Sequence, residues 1–341
     1  MSAAGRGAPI HHGGNLDAAR AAFPGAPEPW IDLSTGINPV PYPIPPIPPE
    51  AWTRLPGRAG LAALEETARR AYGADAATAV VAGPGTQALI QRLPELVPGR
   101  SVAVLGPTYQ EHGAAWRAAG RAVSTVRDPD ALAAADVAVL VNPNNPDGRL
   151  LPPAILQDLA ARLAARGGLL VVDEAFMDVV RPAASLLPGR PANALVLRSF
   201  GKAYGLAGVR LGFALGPDAL VEGLRAALGP WAVPGPAIAV GRAALSDSAW
   251  LEAAVSRLAR DAARLDALLG PAGFEVVGGS ALYRLARSPD APALRVRLGG
   301  AGILVRRFED PSLLRFGMPG DESAWTRLAA ALKGPPRTEI S

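Results

Sequence analysis

The sequence predicts an α/β protein with a parallel sheet covered on both faces and a second, smaller α/β lobe. Three observations carry this. From residue 60 to about residue 217, short apolar runs alternate with stretches of helical spacing. Polar and glycine-rich motifs fall directly after the apolar runs, where open parallel sheets place their ligands. Beyond about residue 217 the rhythm changes to long helical stretches followed by short strands.

The elements follow in order. Residues 1–58 read as an irregular arm, because the stretch from Asn38 to Pro49 holds too many prolines for a helix or a central strand. Such an arm is either a linker or a strap over the body or a partner subunit. Leu61, Leu64, Ala68 and Ala71 have helical spacing. Thr78–Ala82 is a short β-branched run ending in Gly83-Pro84-Gly85. Helical spacing resumes through Ala88–Val97 and stops at Pro98-Gly99. Ser101–Leu105, Ala122–Val126, Val137–Val141, Leu169–Val172, Ala194–Leu197 and Val209–Ala214 read as strands. Helices separate them at Gln110–Ala119, Ala131–Ala135 and Pro153–Arg166. A helix to Leu228 precedes a break at Pro234-Gly235-Pro236, and a helical region covers Ala237–Leu269. Strands at Phe274–Val277, Leu282–Leu285, Ile303–Val305 and Leu313–Phe316, with helices at Pro292–Leu298 and Glu322–Leu332, complete the smaller lobe. The expected division is an arm (1–58), a large domain (59–235), a small domain (236–333) and a frayed tail (334–341).

Composition narrows the function classes. The 341 residues are 49% apolar and 19% charged, the balance of a folded chain with room for two domains. There is no cysteine, which excludes disulfides, a thiol nucleophile and Cys-ligated zinc or iron–sulfur sites. The three histidines, His11, His12 and His112, are too few for a multi-histidine metal centre. A net charge of +4 with scattered arginines argues against a nucleic-acid partner. Met1–Gly14 lacks the apolar segment of a secretory signal, and no run of 18 apolar residues occurs. A soluble cytoplasmic protein is the expectation. Of 34 basic residues only Lys202 and Lys333 are lysine. Arginine cannot lose its proton or form a Schiff base, and lysine does both. A lysine that survives such a bias is either retained by chance or sits where arginine cannot serve.

Four loops carry the candidate chemistry. Gly83-Pro84-Gly85-Thr86-Gln87 joins a strand to a helix, either as a plain turn or as a phosphate cradle at a helix N-terminus. Asn142-Pro143-Asn144-Asn145-Pro146-Asp147-Gly148 crowds three amides into a rigid turn, chosen for turn propensity or for a ligand. Asp173-Glu174-Ala175-Phe176 puts an acidic pair after an apolar strand. It is either a solvated strand end or a carboxylate that holds a cation or a protonated ring nitrogen. Arg198-Ser199-Phe200-Gly201-Lys202 leads into Arg210 and contains the rare lysine. It is not a Walker P-loop, because Val196 and Ala203 stand where that motif needs Gly and Ser or Thr. Together the loops fit pyridoxal 5′-phosphate, which needs a lysine, a carboxylate, a donor for its phenolic oxygen and a phosphate cradle. His112 reads as a helix-surface histidine.

In these motifs the chain resembles the fold-type I pyridoxal-phosphate enzymes of the histidinol-phosphate aminotransferase group. NNPDG, DEAF and SFGKAYGLAGVRLG occur in that order and spacing, and the likeness extends to Gly302–Phe308 and Leu314–Gly317. The arm, with His12-Gly13-Gly14-Asn15 and Asp32–Pro39, is most similar to the threonine-phosphate decarboxylase branch. The resemblance implies a large domain with a mostly parallel seven-stranded sheet, a smaller C-terminal domain and a homodimer. It implies that Lys202 binds the cofactor aldehyde and Asp173 the ring nitrogen. Asn145 then donates to the phenolic oxygen, and Tyr109 stacks on the ring. Gly85, Thr86, Ser199 and Arg210 take the cofactor phosphate. Arg315 matches the group's substrate-anion arginine, and His12, Asn38 and Arg306 are further candidates for the substrate's phosphate or carboxylate. Three positions depart from the group: Phe176 stands for a tyrosine, Gly201 for a serine or threonine, and Leu55 for the arm's tyrosine.

Two activities share every cofactor residue. One is decarboxylation of L-threonine O-3-phosphate for cobalamin biosynthesis. The other is transamination of histidinol phosphate or a related amine. A third reading is a ligand sensor; such sensors usually carry an additional DNA-binding domain, the 58-residue arm is too proline-rich to be one, and intact Lys202 and Asp173 argue against lost catalysis.

Overall fold

The computed structural model describes residues 12–333. His11 and the tail expected to fray lie outside the described residues. The described chain forms two compact units, one of residues 37–263 with 278–282 and one of residues 12–36, 264–277 and 283–333. Its strands, in chain order, are β1 (Ile31–Leu33), β2 (Ala79–Gly83), β3 (Ser101–Leu105), β4 (Ala122–Val126), β5 (Val137–Val141) and β6 (Leu169–Asp173). They continue as β7 (Ala194–Ser199), β8 (Gly212–Gly216), β9 (Glu275–Ser280), β10 (Tyr283–Arg287), β11 (Ile303–Arg307) and β12 (Leu313–Gly317).

The larger unit holds a seven-stranded sheet in the order β2-β8-β7-β6-β5-β3-β4. Its central strands are uninterrupted apolar runs because both faces are buried. Ala138, Leu140, Leu170, Val172 and Val196 enter one core with Leu64, Leu156 and Phe213. Their neighbours Val137, Val139, Val171, Leu195 and Leu197 enter the opposite core with Leu89, Ile90 and Trp116. The sheet is parallel from β7 to β4, but β8 runs antiparallel to both β2 and β7. The strand expected from Val209 begins only at Gly212. Ala207–Val209 is a 3-10 turn, and Arg210 takes a left-handed conformation before the strand starts.

The expected helix at Ala131–Ala135 is a 3-10 turn over Pro129–Ala134, opened by the Asp128 side chain. The expected helical region over Ala237–Leu269 is two helices, Gly235–Ser246 and Ser248–Leu269. The first places Ile238, Val240, Ala244 and Leu245 in the same core as Leu64. The two compact units divide at 36/37 and 263/264, with 278–282 belonging to the larger one.

The arm is also more regular than its prolines suggest. Asn15 caps a helix at Leu16–Ala22 by accepting from the Ala18 amide. Pro49 opens a helix at Pro49–Thr53, where the missing N–H costs nothing. In the smaller unit β1 completes a sheet ordered β1-β11-β12-β10-β9, parallel to β11, while β12 is antiparallel to β10 and β11. Among the described residues no helix is long and apolar enough to cross a membrane.

Candidate active site

The loops after β2, β5, β6 and β7 converge on one cavity of about 200 Å³ in the larger unit. Gly85, Thr86, Tyr109, Asn145, Asp173, Ser199, Lys202 and Arg210 all line it. These are the eight residues for which the resemblance implies a cofactor role.

Lys202 sits on a single helical turn, Phe200–Ala203, directly after β7. Its Nζ lies 5.7 Å from the centre of the Phe176 ring. Gly201 is explained by packing: a Cβ there would lie 2.7 Å from Ala207 Cα, so no serine or threonine fits. Behind the turn, Phe200 stacks on Tyr204 at 4.7 Å, and Tyr204 stacks on Trp250 at 5.7 Å.

The acidic pair divides its work. Asp173, at the end of β6, is buried and faces the cavity. Its Oδ1 accepts from the Ala175 amide at 3.0 Å, and its Oδ2 lies 2.9 Å from His112 Nε2. Glu174 turns the other way, fully buried. It accepts from Ser185 Oγ at 2.6 Å, Leu186 N at 2.7 Å and Arg198 Nη1 at 3.0 Å. Burial pushes the Glu174 carboxyl above its usual range, against the pull of Arg198. Arg198 also pairs with Asp178 and lies over the Tyr72 ring.

His112 therefore corrects the expectation of a surface histidine: it is only 1% exposed. The helix Gln110–Ala118 buries His112, Gly113 and Trp116 along one face. Trp116, one turn on, was the available signal for that inward face.

The amide-rich turn divides in the same way. Asn142 exchanges two hydrogen bonds with the Leu151 backbone. Asn144 donates to Pro107 O and Asp147 Oδ1 and accepts from Thr108 Oγ1. Asn145 is the one that lines the cavity.

The opposite corner suits an anion. Gly85 stands at the N-terminus of the helix Thr86–Leu96 with φ +83°. A Cβ there would reach 2.8 Å from Arg210 Nη2, so glycine keeps this cradle open. Arg210 itself holds a left-handed backbone, φ 53°, which is strained for a long side chain. Thr86, Ser199 and Arg210 line the same cavity as this helix N-terminus.

Residues 49–332 match the family model described as aminotransferase class I and II. This chain belongs to the aminotransferase class I and II family. It is 45% identical over 328 residues to the threonine-phosphate decarboxylase of Pseudomonas aeruginosa, covering 95% of this chain and 98% of that protein. It is 44% identical over 330 residues to the protein of that name from a Sinorhizobium species, covering 95% and 98%. Among solved structures it superposes on a histidinol-phosphate aminotransferase from Sinorhizobium meliloti in complex with pyridoxal-5′-phosphate. There the TM-score is 0.78 at 20% identity, covering 96% of this chain and 95% of that one.

The four substrate candidates of this aminotransferase-family chain are not gathered in the cavity lining. His12 is exposed at the start of the described residues of the smaller unit. Arg306 and Arg315 face each other across β11 and β12 in that unit. Arg315 is buried, lies over the Tyr283 ring and donates from Nη2 to Ser34 O at 2.8 Å. Burial lowers its guanidinium to about 10, opposed by Tyr283 and aided by repulsion from Arg306. Asn38 belongs to the larger unit and is buried beside the Lys202 turn. Two positioning residues escaped the sequence reading. Tyr109 Oη donates to Gln87 Oε1 at 3.1 Å, and Gln87 Nε2 donates to Glu111 Oε2 at 2.9 Å. Gln87 closes the Gly83–Gln87 motif, which was its signal; Glu111 had none.

Proposed function

We propose that this chain is a pyridoxal-phosphate-dependent decarboxylase that converts L-threonine O-3-phosphate to (R)-1-aminopropan-2-ol O-2-phosphate and carbon dioxide. The observation that carries the reading is the convergence of Lys202, Asp173, Asn145 and the anion corner on one cavity. Two relatives covering 95% of the chain at 44–45% identity, both named threonine-phosphate decarboxylase, favour this substrate.

The residues present suit the cofactor. Lys202 supplies an amine for an aldehyde. Asp173, fixed at both oxygens, supplies a negative charge for a ring nitrogen. Asn145 supplies an amide, and the helix N-terminus at Gly85 beside Arg210 suits a phosphate. When bound, the cofactor supplies an electron sink that accepts the pair from the broken Cα–carboxylate bond. Asp173 would hold the proton on that ring nitrogen, because a buried carboxylate stabilises a facing positive charge. Lys202, which lines the cavity, would be its acid–base amine and would supply the proton that takes the place of carbon dioxide at Cα. Phe176 and Leu211 wall the same cavity with apolar surface that limits water. Arg306 and Arg315 are the proposed clamp for a substrate anion.

A homodimer belongs to the same reading. Ile44, Trp52, Leu55 and Trp231 of the larger unit are 57–68% exposed, large and apolar, a surface that suits a second copy.

The test is product analysis by mass spectrometry, using protein loaded with pyridoxal phosphate, threonine phosphate and no keto acid. Aminopropanol phosphate forms over many turnovers, and Lys202→Ala yields none. Loaded protein that makes no such product, yet turns over histidinol phosphate with 2-oxoglutarate, refutes the decarboxylase reading and assigns an aminotransferase.

A further inference from the structure

We infer that Asn38, held by Arg257, is a positioning residue that fixes the backbone turn carrying Lys202. The inference rests on the reading of Lys202 as the cofactor-binding lysine. The C-terminal carbonyls of the turn Phe200–Ala203 find few partners within it: Lys202 O accepts from Tyr204 N and, at 3.4 Å, from Gly205 N. The arm satisfies three consecutive ones. Asn38 N donates to Lys202 O at 2.9 Å, Asn38 Nδ2 to Ala203 O at 2.8 Å, and Tyr42 N to Tyr204 O at 2.8 Å. Gly205, at φ +66°, permits this approach: a Cβ there would lie 2.6 Å from Asn38 O and 2.8 Å from Pro41 Cα.

The Asn38 side chain is 99% buried from solvent and committed at both ends. While its Nδ2 holds Ala203 O, its Oδ1 accepts from Val40 N at 3.1 Å and from Arg257 Nη2 at 2.6 Å. Arg257 is held in turn through Nη1 by Asp261 Oδ2 at 2.9 Å. An amide is required, since one end must donate to a carbonyl and the other accept from a guanidinium. Asn38 therefore acts through Lys202, and its amide is spent on protein partners rather than offered to a substrate anion. Its effect is preorganisation: a fixed turn holds the amine near its attack geometry, and a loose one must find it.

The experiment measures cofactor capture without substrate. Cofactor-free protein is mixed with pyridoxal phosphate and quenched with borohydride at timed intervals. The adduct on Lys202 is quantified by peptide mass. Reductive methylation by formaldehyde, which needs no orientation, is measured in parallel on Lys202 and on Lys333, the other lysine of the chain. The variants are Asn38→Asp, which keeps the acceptor but turns an oxygen toward Ala203 O, Arg257→Met and Arg257→Lys. Capture slows at least tenfold in Asn38→Asp and Arg257→Met while methylation does not slow, and Arg257→Lys recovers part of the rate. A purely structural role lowers the melting temperature without that selective slowing, and a substrate-binding role leaves capture at the parent rate. Either result overturns the inference. If Arg257→Met does not fold, Asn38→Asp decides by the same measurement. Absence of any Lys202 adduct in the parent defeats the cofactor reading itself; an adduct that forms equally fast in parent and variants defeats only this inference.

Discussion

His112 spends a buried side chain on a single carboxylate, 2.9 Å from Asp173 Oδ2 with both groups almost wholly shielded from water. A hydrogen bond to a buried charge contributes about 1.5–3 kcal/mol. At roughly 1.4 kcal/mol per factor of ten, His112→Ala lowers kcat about 10- to 100-fold. His112→Asn, which retains a donor, recovers part of that. Both are checked by steady-state turnover with the cofactor saturating. At this scale the sequence exposed the residues whose chemistry is unusual for their surroundings. Lys202 stood out in a chain that otherwise uses arginine, and Asp173 stood out after an apolar strand. The residues it hid act through distant partners. Arg257 meets Asn38 across 219 positions, and Glu111 meets Gln87 across 24, so no local pattern announces either.

Asp136, just before β5, ties that strand to the start of β3. It accepts from Arg100 N at 2.8 Å and Ser101 N at 3.0 Å, and its own amide donates to Ser101 Oγ. These bonds, the Ser101 amide first, hold its carboxyl below the usual aspartate range. A carboxyl lowered on folding adds stability above its unfolded value of 3.8 and loses it as pH falls through the folded value. Asp136→Asn costs about 1–2 kcal/mol at pH 7, discounted for partial exposure. Urea midpoints of parent and variant converge as the pH is lowered below 3.8. The central strands were legible because burial on both faces leaves an uninterrupted apolar run. β1 was not, since three residues show no period and their pairing with Ile303–Val305 is set only by the fold. The direction of β8 was hidden for a related reason: apolar content says that a strand is buried, not which way it runs.

The exposed apolar side chains Ile44, Trp52, Leu55 and Trp231 are the surface on which the proposed homodimer is tested. Trp52→Asp combined with Leu55→Asp halves the mass measured by light scattering while leaving the far-ultraviolet dichroism unchanged. A mass that does not change places the subunit contact elsewhere. The arm's sequence suggested a linker or a strap, because prolines exclude regular structure. It did not show that residues 38–42 bind the carbonyls of the Lys202 turn, since those partners lie more than 160 positions away. The aromatic stack behind that turn has an optical consequence. Trp250 lies 5.7 Å from Tyr204, two residues beyond Lys202, with the rings inclined by only 13°. An absorbing molecule joined to Lys202 drains the excited indole by energy transfer, so Trp250 dims as the cavity fills. The difference in emission between the parent and Trp250→Phe isolates that signal from the other five tryptophans. The unlabelled protein thus reports its own loading in real time, as light, before any product exists.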